Sequence, residues 1–279
     1  MKDKLLVLRM RFLMTRDVIA LNLGRLRSRA RGPRAAGPKV SVLIPTLESR
    51  VDLLANRAVP SILAQSEQDF EVLIVTDAYS HQVKVLVDSL DARFRYLTHA
   101  RIPSQLASAD PTSRWCSAAA PALNLALSNA RGALIARLDD DDSWFPEHLA
   151  NSIHHLEAHG AEFVSSKCYL PDGSEDSDPS IDDEYYGPRP KVRHPAIPIG
   201  SPITWVYRSR LRTLRYNPWS WKKAHNRPAD IDLSHRFWSA GVRLTYMERF
   251  GAQVGLRGDS EEWGLSAFLE EHNPPENGL

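Results

Sequence analysis

What this sequence lacks narrows its chemistry first. It has two cysteines, Cys116 and Cys168, far apart and in no zinc or redox spacing, so both are expected to be structural thiols of a reduced protein. No stretch approaches the ~20 uninterrupted apolar residues needed to cross a bilayer. A cytoplasmic protein is expected, or one peripheral at the inner face of the membrane. Neither charge dominates: 35 Lys and Arg stand against 34 Asp and Glu, which argues against a generalised polyanion surface and hence against a nucleic-acid partner. A glycine-rich phosphate loop, of either the G-x-G-x-x-G or the Walker type, is missing after every predicted strand. That disfavours dinucleotide oxidoreductases and P-loop enzymes.

What is present begins with a segment unlike the rest. Over residues 1–37, Leu5, Leu8, Phe12, Ile19, Leu23 and Leu26 recur at roughly helical spacing, with Arg9, Arg11, Arg16, Arg25, Arg27, Arg29 and Arg31 between them. The apolar run is broken by arginines and lacks an Ala-x-Ala cleavage site, so a signal peptide is not expected. A basic amphipathic helix of this kind lies on an anionic membrane surface or packs on the protein body or a dimer partner, and the sequence leaves both open. Arg31-Gly-Pro-Arg-Ala-Ala-Gly-Pro38 reads as a linker, which makes residues 1–38 an extension on a body over 39–279.

In the body, apolar runs alternate with helical patterns. Lys39–Pro45, Phe70–Thr76, Phe94–Leu97 and Ala133–Leu138 read as strands; Val51–Gln65, Gln82–Leu90 and Ala118–Asn129 read as helices. Strands that are apolar on both faces and separated by helices predict a mostly parallel sheet with helices on either side. Ligands in such sheets bind beyond the carboxyl ends of the strands, which would gather Thr46, Glu48, Asp77 and the run Asp139 to Asp142 along one edge.

Four adjacent carboxylates at a strand end are costly. Two unit charges ~4 Å apart repel by about 4 kcal/mol at an effective dielectric of 20, whereas one Asp would suffice to cap the helix that Pro146 is placed to open. A site without backbone donors for phosphates must neutralise them with a cation, and Mg²⁺ or Mn²⁺ takes one or two protein carboxylates plus substrate phosphate oxygens.

Together, Val40-Ser-Val-Leu-Ile-Pro-Thr46, Phe70-Glu-Val-Leu-Ile-Val-Thr-Asp77, Asn124-Leu-Ala-Leu127 with Ala130-Arg-Gly132, and Leu138-Asp-Asp-Asp-Asp-Ser-Trp-Phe-Pro146 resemble the family 2 glycosyltransferases of the GT-A fold. The likeness runs from Lys39 to about Arg249. It implies a Rossmann-like, mostly parallel sheet flanked by helices, with a nucleotide-binding half over 39–142, an acceptor half over 143–250 and a C-terminal tail over 251–279. By resemblance, Asp77 accepts a hydrogen bond from the nucleobase, and Thr46, Glu48, Asn124 and Asp139 belong to the nucleotide site. Asp141, with Asp139, would hold Mn²⁺ or Mg²⁺. Asp142 orders the loop or reaches donor hydroxyls, and Asp140 is expected to face solvent. Ala229-Asp-Ile-Asp-Leu-Ser-His-Arg236 resembles the family's E-D-x-D-L-x-x-R segment, which makes Asp230 the catalytic base, with Asp232 and His225 in reserve. An N-cap is the ordinary reading of Asp230.

Ala229 in place of Glu, and Thr76 and Ala78-Tyr79 in place of an Asp and a glycine-containing turn, are departures from the family pattern. Trp144, Trp205 and Arg208 are further candidates for donor or acceptor contacts, against a core role for the tryptophans and a solvated basic face for the arginine. The stretch from Leu170 to Gly200, with Tyr185, Tyr186, Arg189, Lys191, Arg193 and His194, reads as a long loop, either a lid or a surface excursion. The implied reaction is metal-dependent, inverting transfer of one sugar, with UDP as the expected nucleotide, to a hydroxyl of a glycan, lipid-linked or small-molecule acceptor. A Gln-x-x-Arg-Trp segment after the base, expected of processive synthases, is missing. Two rivals remain: a binding subunit of the same fold without turnover, and a sugar nucleotidyltransferase. The latter needs a glycine-rich basic loop where this chain has Pro45-Thr-Leu-Glu-Ser-Arg50.

Overall fold

The computed structural model describes residues 12, 15–26, 37–175, 198–222 and 228–255. The β-branched run forms strand β1 (Val40–Pro45), and β2 (Phe70–Val75) pairs parallel with it from Val40 opposite Phe70 to Pro45 opposite Val75. On the outer side of β2 lies β3 (Phe94–Leu97), and on the other side of β1 lies β4 (Leu134–Arg137), both parallel. This is the parallel half that the apolar runs predict.

The sheet then continues through segments with no such clear signature. Its eight strands run β3-β2-β1-β4-β7-β6-β8-β5. Strand β7 (Val206–Arg208) is antiparallel to both β4 and β6 (Phe163–Tyr169); β8 (Leu244–Gln253) runs parallel to β6, and the short β5 (Ser143–Trp144) runs antiparallel to β8. The sheet is therefore mixed beyond β4. Strand β8 also crosses the expected start of a tail at residue 251, because Ala252 and Gln253 pair with Trp144 and Ser143.

That pairing explains a second shift. With Ser143 and Trp144 held in the sheet and the Phe145 N–H donating to the Gly251 carbonyl, the next helix begins only at His148, so Pro146 precedes it rather than sitting in its first turn. The helical stretch after β1 runs from Glu48–Arg50 through Val51–Leu53, widens to a π-turn at Leu54–Ala58, and ends as Val59–Leu63. Pro60 accounts for the widening, since it has no N–H to give and its ring crowds the carbonyl one turn back. The helices His81–Asp88 and Ala119–Asn129 fall where the periodicity puts them, the first capped by the Ser80 hydroxyl accepting from Val83 N–H.

Period-2 alternation divides β1 between two cores. Val40, Val42 and Ile44 pack with Leu54, Ile62, Leu149 and Ile153 on one face; Leu43 packs with Leu123, Leu127, Phe163, Trp205, Leu233 and Phe237 on the other. Leu21 is fully buried in that second core, so the helical residues 15–26 are docked on the body. Two ion pairs hold them, the first buried and the second partly so. Asp17 takes a hydrogen bond from Arg236 Nη1 at 3.1 Å, and Arg25 forks onto Glu162 through Nε at 3.1 Å and Nη2 at 2.6 Å. Most of the remainder of the 1–38 extension lies outside the described residues, as do 176–197 of the long loop and the tail from 256.

Glu162 ties this arrangement to pH. Its burial opposes ionisation, yet donors from Arg25, the Arg243 backbone and Arg210 win, and the carboxyl is held down at about 2 against an ordinary 4.5. A depressed folded-state value means the stabilisation is complete above pH 4.5 and is lost as pH falls toward 2. Glu162→Gln is expected to lose on the order of 2–3 kcal/mol of stability at pH 7. Between pH 4.5 and 2 its denaturant midpoint should fall less than that of the parent chain, a difference urea titrations at several pH values would reveal.

Candidate active site

Beyond the carboxyl ends of β1, β2 and β4 lies one cavity of about 340 Å³. It is lined by Thr46 and Arg50 after β1, Asp77 after β2, Arg137 and Asp139 to Asp142 at the end of β4, and Asp230 in the helix Ala229–Ser239. The opposite wall is small and apolar, with Ile102, Trp115, Ala118, Ala119, Ala122 and Leu123. An acidic floor against an apolar wall suits a ligand with a charged middle and flat or apolar ends.

The four aspartates are not equivalent. Asp140, expected in solvent, is instead 3% exposed and fully engaged: Oδ2 accepts from Thr46 Oγ1 at 2.6 Å, and Oδ1 accepts from Arg50 Nη2 at 2.8 Å and Nε at 2.9 Å. Burial pushes this carboxyl up to about 6; Arg50 and Thr46 pull against the rise and the neighbouring charge of Asp141 adds to it. Asp141 is bridged by the same guanidinium, Oδ2 to Arg50 Nη2 at 2.7 Å, while its carbonyl accepts from Arg57 Nη1 at 2.9 Å. Asp142 is buried, and its Oδ1 accepts from the Gly255 N–H at 2.7 Å, which orders the loop. A side chain at Gly255 would overlap the Asp141 carbonyl and the Arg57 guanidinium, so the end of β8 closes on the acidic corner through a residue without a Cβ.

Asp139 meets a second arginine. Arg137 Nε and Nη2 donate to its two carboxylate oxygens at 3.0 and 2.9 Å, and Arg137 Nη1 lies 3.5 Å from Asp230 Oδ2. The i, i+2 spacing places Arg137 and Asp139 on one side of the chain as it leaves β4. Burial works against the Arg137 charge, but Asp139, Tyr216 and Asp230 outweigh it and hold its pKa above the usual range, so the guanidinium is a fixed cation between two carboxylates. Asp230 itself is not the N-cap, which is Pro228. It sits in the first turn with Oδ1 accepting from the Ile231 N–H at 2.8 Å, leaving its side chain a quarter exposed toward the cavity. Asp232, its reserve, is turned away: it is buried on Arg236 at 2.8 Å. His225 lies outside the described residues.

Other expected residues fall away from the cavity. Asp77 is exposed on its rim with Oδ1 accepting from the Ala78 N–H, but Glu48 points to solvent and does not line the cavity. Both ends of the Asn124 amide are spent on the backbone of Tyr216, donating to its carbonyl at 2.8 Å and accepting from its N–H at 2.9 Å. Trp144 and Trp205 are core side chains, 4% and 2% exposed, whose ring N–H groups donate to the carbonyls of Ile203 and Gly200. Arg208 closes β7 away from the cavity. Arg50 and Arg137, conversely, went unread in the sequence. The signal for Arg137 was a charge inside an otherwise apolar strand, two residues before an aspartate.

Among the described residues no three His, Cys, Asp or Glu side chains converge as a metal cage. A hard divalent ion at this corner would have to draw most of its ligands from substrate oxygens, since Asp141 and Asp139 are each already paired with an arginine. No helix among the described residues is long and apolar enough to cross a membrane.

The chain resembles known glycosyltransferases in part of its sequence and in its fold. Residues 114–214 match the model of Glycosyl transferase family 2, a span that holds Arg137 and the acidic run but neither Asp77 nor Asp230. Over 58 residues the chain is 40% identical to the Escherichia coli UDP-Glc:alpha-D-GlcNAc-diphosphoundecaprenol beta-1,3-glucosyltransferase WfaP, an overlap of 21% of this chain and 23% of that protein. In fold it resembles TarS of S. aureus (TM-score 0.53, 16% identity, 84% of this chain and 40% of that one). It also resembles TarS 1-349 in complex with UDP-GlcNAc (TM-score 0.52, 16% identity, 78% and 59%). A third likeness is to the mannosyltransferase PcManGT from Pyrobaculum calidifontis in complex with GDP-Man and Mn²⁺ (TM-score 0.53, 14% identity, 90% and 69%). The chain thus spans 23% of the curated relative's length and 40% of the first TarS chain.

Proposed function

We propose that this chain, a glycosyltransferase family 2 protein with the GT-A fold, transfers one sugar from a nucleotide diphosphate donor to an acceptor hydroxyl with inversion. The observation that carries the reading is Arg137, whose guanidinium joins Asp139 of the acidic corner to Asp230 across one cavity. Two sites of opposite chemical need are then neighbours. One would hold the departing diphosphate and the other would take a proton.

In this reading Asp77 meets the nucleobase at the rim of the cavity, and the apolar wall from Trp115 to Leu123 packs against the donor. Asp141, with Asp139, would hold Mn²⁺ or Mg²⁺, and such an ion, when bound, would neutralise charge on the leaving diphosphate. Asp230 accepts the proton of the acceptor hydroxyl as that oxygen bonds to the anomeric carbon; the bond from that carbon to the diphosphate oxygen breaks on the opposite face, and the nucleoside diphosphate leaves. Arg137 acts through both carboxylates, fixing Asp230 in direction and setting a positive charge 3.5 Å from its Oδ2. A UDP-sugar donor draws support from the UDP-Glc in the name of the E. coli relative and the UDP-GlcNAc bound to TarS, and a lipid-linked acceptor from that relative's name alone.

Calorimetry with UDP-, GDP- and dTDP-sugars, each with and without Mn²⁺, tests the reading. The UDP-sugar with Mn²⁺ is expected to bind and to raise the melting temperature, since ligand at about 100 times Kd adds roughly 2.7 kcal/mol to the native state. Failure of every nucleotide to bind would sink it. Donor binding without transfer or donor hydrolysis would favour the non-catalytic subunit, the reading that Ala229 at the cavity edge keeps open.

A further inference from the structure

The helical residues 15–26 have two unlike faces. Asp17 and Leu21, 2% and 0% exposed, face the body, and Gly24 comes close to the Arg210 carbonyl. Opposite them, Ile19, Leu23 and Leu26 are 55%, 47% and 60% exposed, and Phe12 is 71% exposed. At 3.6 residues per turn these four positions fall on a single stripe. They are four of the eight large apolar side chains that the described residues expose, and the other four are scattered over the body. Among the described residues nothing covers this apolar stripe, whose helix is docked by its other side.

The charge around the stripe says what covers it. Residues 1–38 carry ten Lys or Arg and two Asp, in a chain whose net charge is +1, so the body is net acidic. Of the two aspartates, Asp17 is consumed in the buried pair with Arg236. A second copy packed stripe against stripe would bring the same excess of positive charge to the contact. An anionic lipid surface supplies both an apolar layer for the stripe and negative headgroups for the arginines, while the acidic body is repelled from it.

We infer that this stripe is a membrane-surface anchor: Phe12, Ile19, Leu23 and Leu26 enter the headgroup boundary of an anionic leaflet, with the flanking arginines on its phosphates. The docking contacts give the anchor a direction. Arg236, which holds Asp17, lies on the same helix as Asp230, and Arg25 is clamped on Glu162 at the start of β6, so the body is carried in a fixed orientation instead of on a free tether. This inference stands apart from the transfer chemistry and survives if that reading fails.

Sedimentation of the full chain with sucrose-loaded phosphatidylcholine vesicles, with and without about 30 mole percent phosphatidylglycerol, tests it. The chain is expected to pellet with the anionic vesicles and at least about tenfold more weakly with phosphatidylcholine alone or in high salt. The double variant Ile19→Asp, Leu23→Asp should lose vesicle binding while keeping its melting temperature, because both side chains are exposed. Should that variant misfold, Arg27→Glu with Arg29→Glu and Arg31→Glu tests the charge half separately. Equal binding by variant and parent, no binding to anionic vesicles, or a dimer in light scattering that the double variant dissolves would overturn the inference, the last by showing a second copy on the stripe.

Discussion

Asp230→Asn is expected to lower the turnover number for sugar transfer by about 10²- to 10⁴-fold, the usual worth of a positioned general base, while the donor dissociation constant changes by less than about threefold. Asparagine keeps the shape of the side chain and can still meet Arg137, 3.5 Å away, so the cavity should persist. What it removes is the negative charge and basicity of the carboxylate that takes the acceptor proton. The same variant separates the enzyme from a binding subunit, because a protein without turnover has no rate to lose. If transfer is undiminished, the base lies elsewhere, and Asp232 is a poor heir, since its carboxylate is buried and committed to Arg236. Comparing single-turnover rates and calorimetric donor affinities on the same preparation is the decisive measurement.

Asp141→Asn should act on the other half of the site. An ion held by one or two protein carboxylates loses much of its attraction when one is neutralised; at ~4 Å and an effective dielectric of 20 the lost interaction is about 4 kcal/mol per unit charge, hence about 8 kcal/mol for a divalent ion, before solvent screening. Mn²⁺-supported UDP binding is therefore expected to weaken by at least about tenfold, with UDP binding in the absence of metal little changed. The fold should tolerate the change, because Arg50 keeps Asp140 and the Asp141 carbonyl keeps Arg57. An unaltered metal response would instead make Arg50 the counter-charge of the diphosphate. Arg50 lines the cavity and already bridges Asp140 and Asp141, which places its charge at the acidic corner.

Much of this was legible in the chain. The parallel half of the sheet could be read because strands buried on both faces must be apolar throughout, and Val40–Pro45, Phe70–Val75 and Leu134–Arg137 are nearly so. The later strands were not, because β6, β7 and β8 carry Ser165, Ser166, Lys167, Arg208 and Glu248, and their pairings are set by partners up to 110 positions away, as with Ser143 opposite Gln253. Residue types alone left the tryptophans open between a sugar contact and the core. The structure puts Trp144 and Trp205 in the core, where carbonyls at 2.6 and 2.8 Å satisfy their N–H groups and let them be buried.

By itself, the order of residues determined that this chain folds around a sheet whose first half is parallel and that an excess of carboxylate stands at its edge, since hydrophobic periodicity and adjacent charge are local properties. Which partner each carboxylate takes was decided only by tertiary structure. Asp139 to Asp142 are alike in sequence, yet Arg50 and Thr46 claim one, Gly255 another, and Arg137 couples a third to Asp230, because long-range packing allots each of them a different partner.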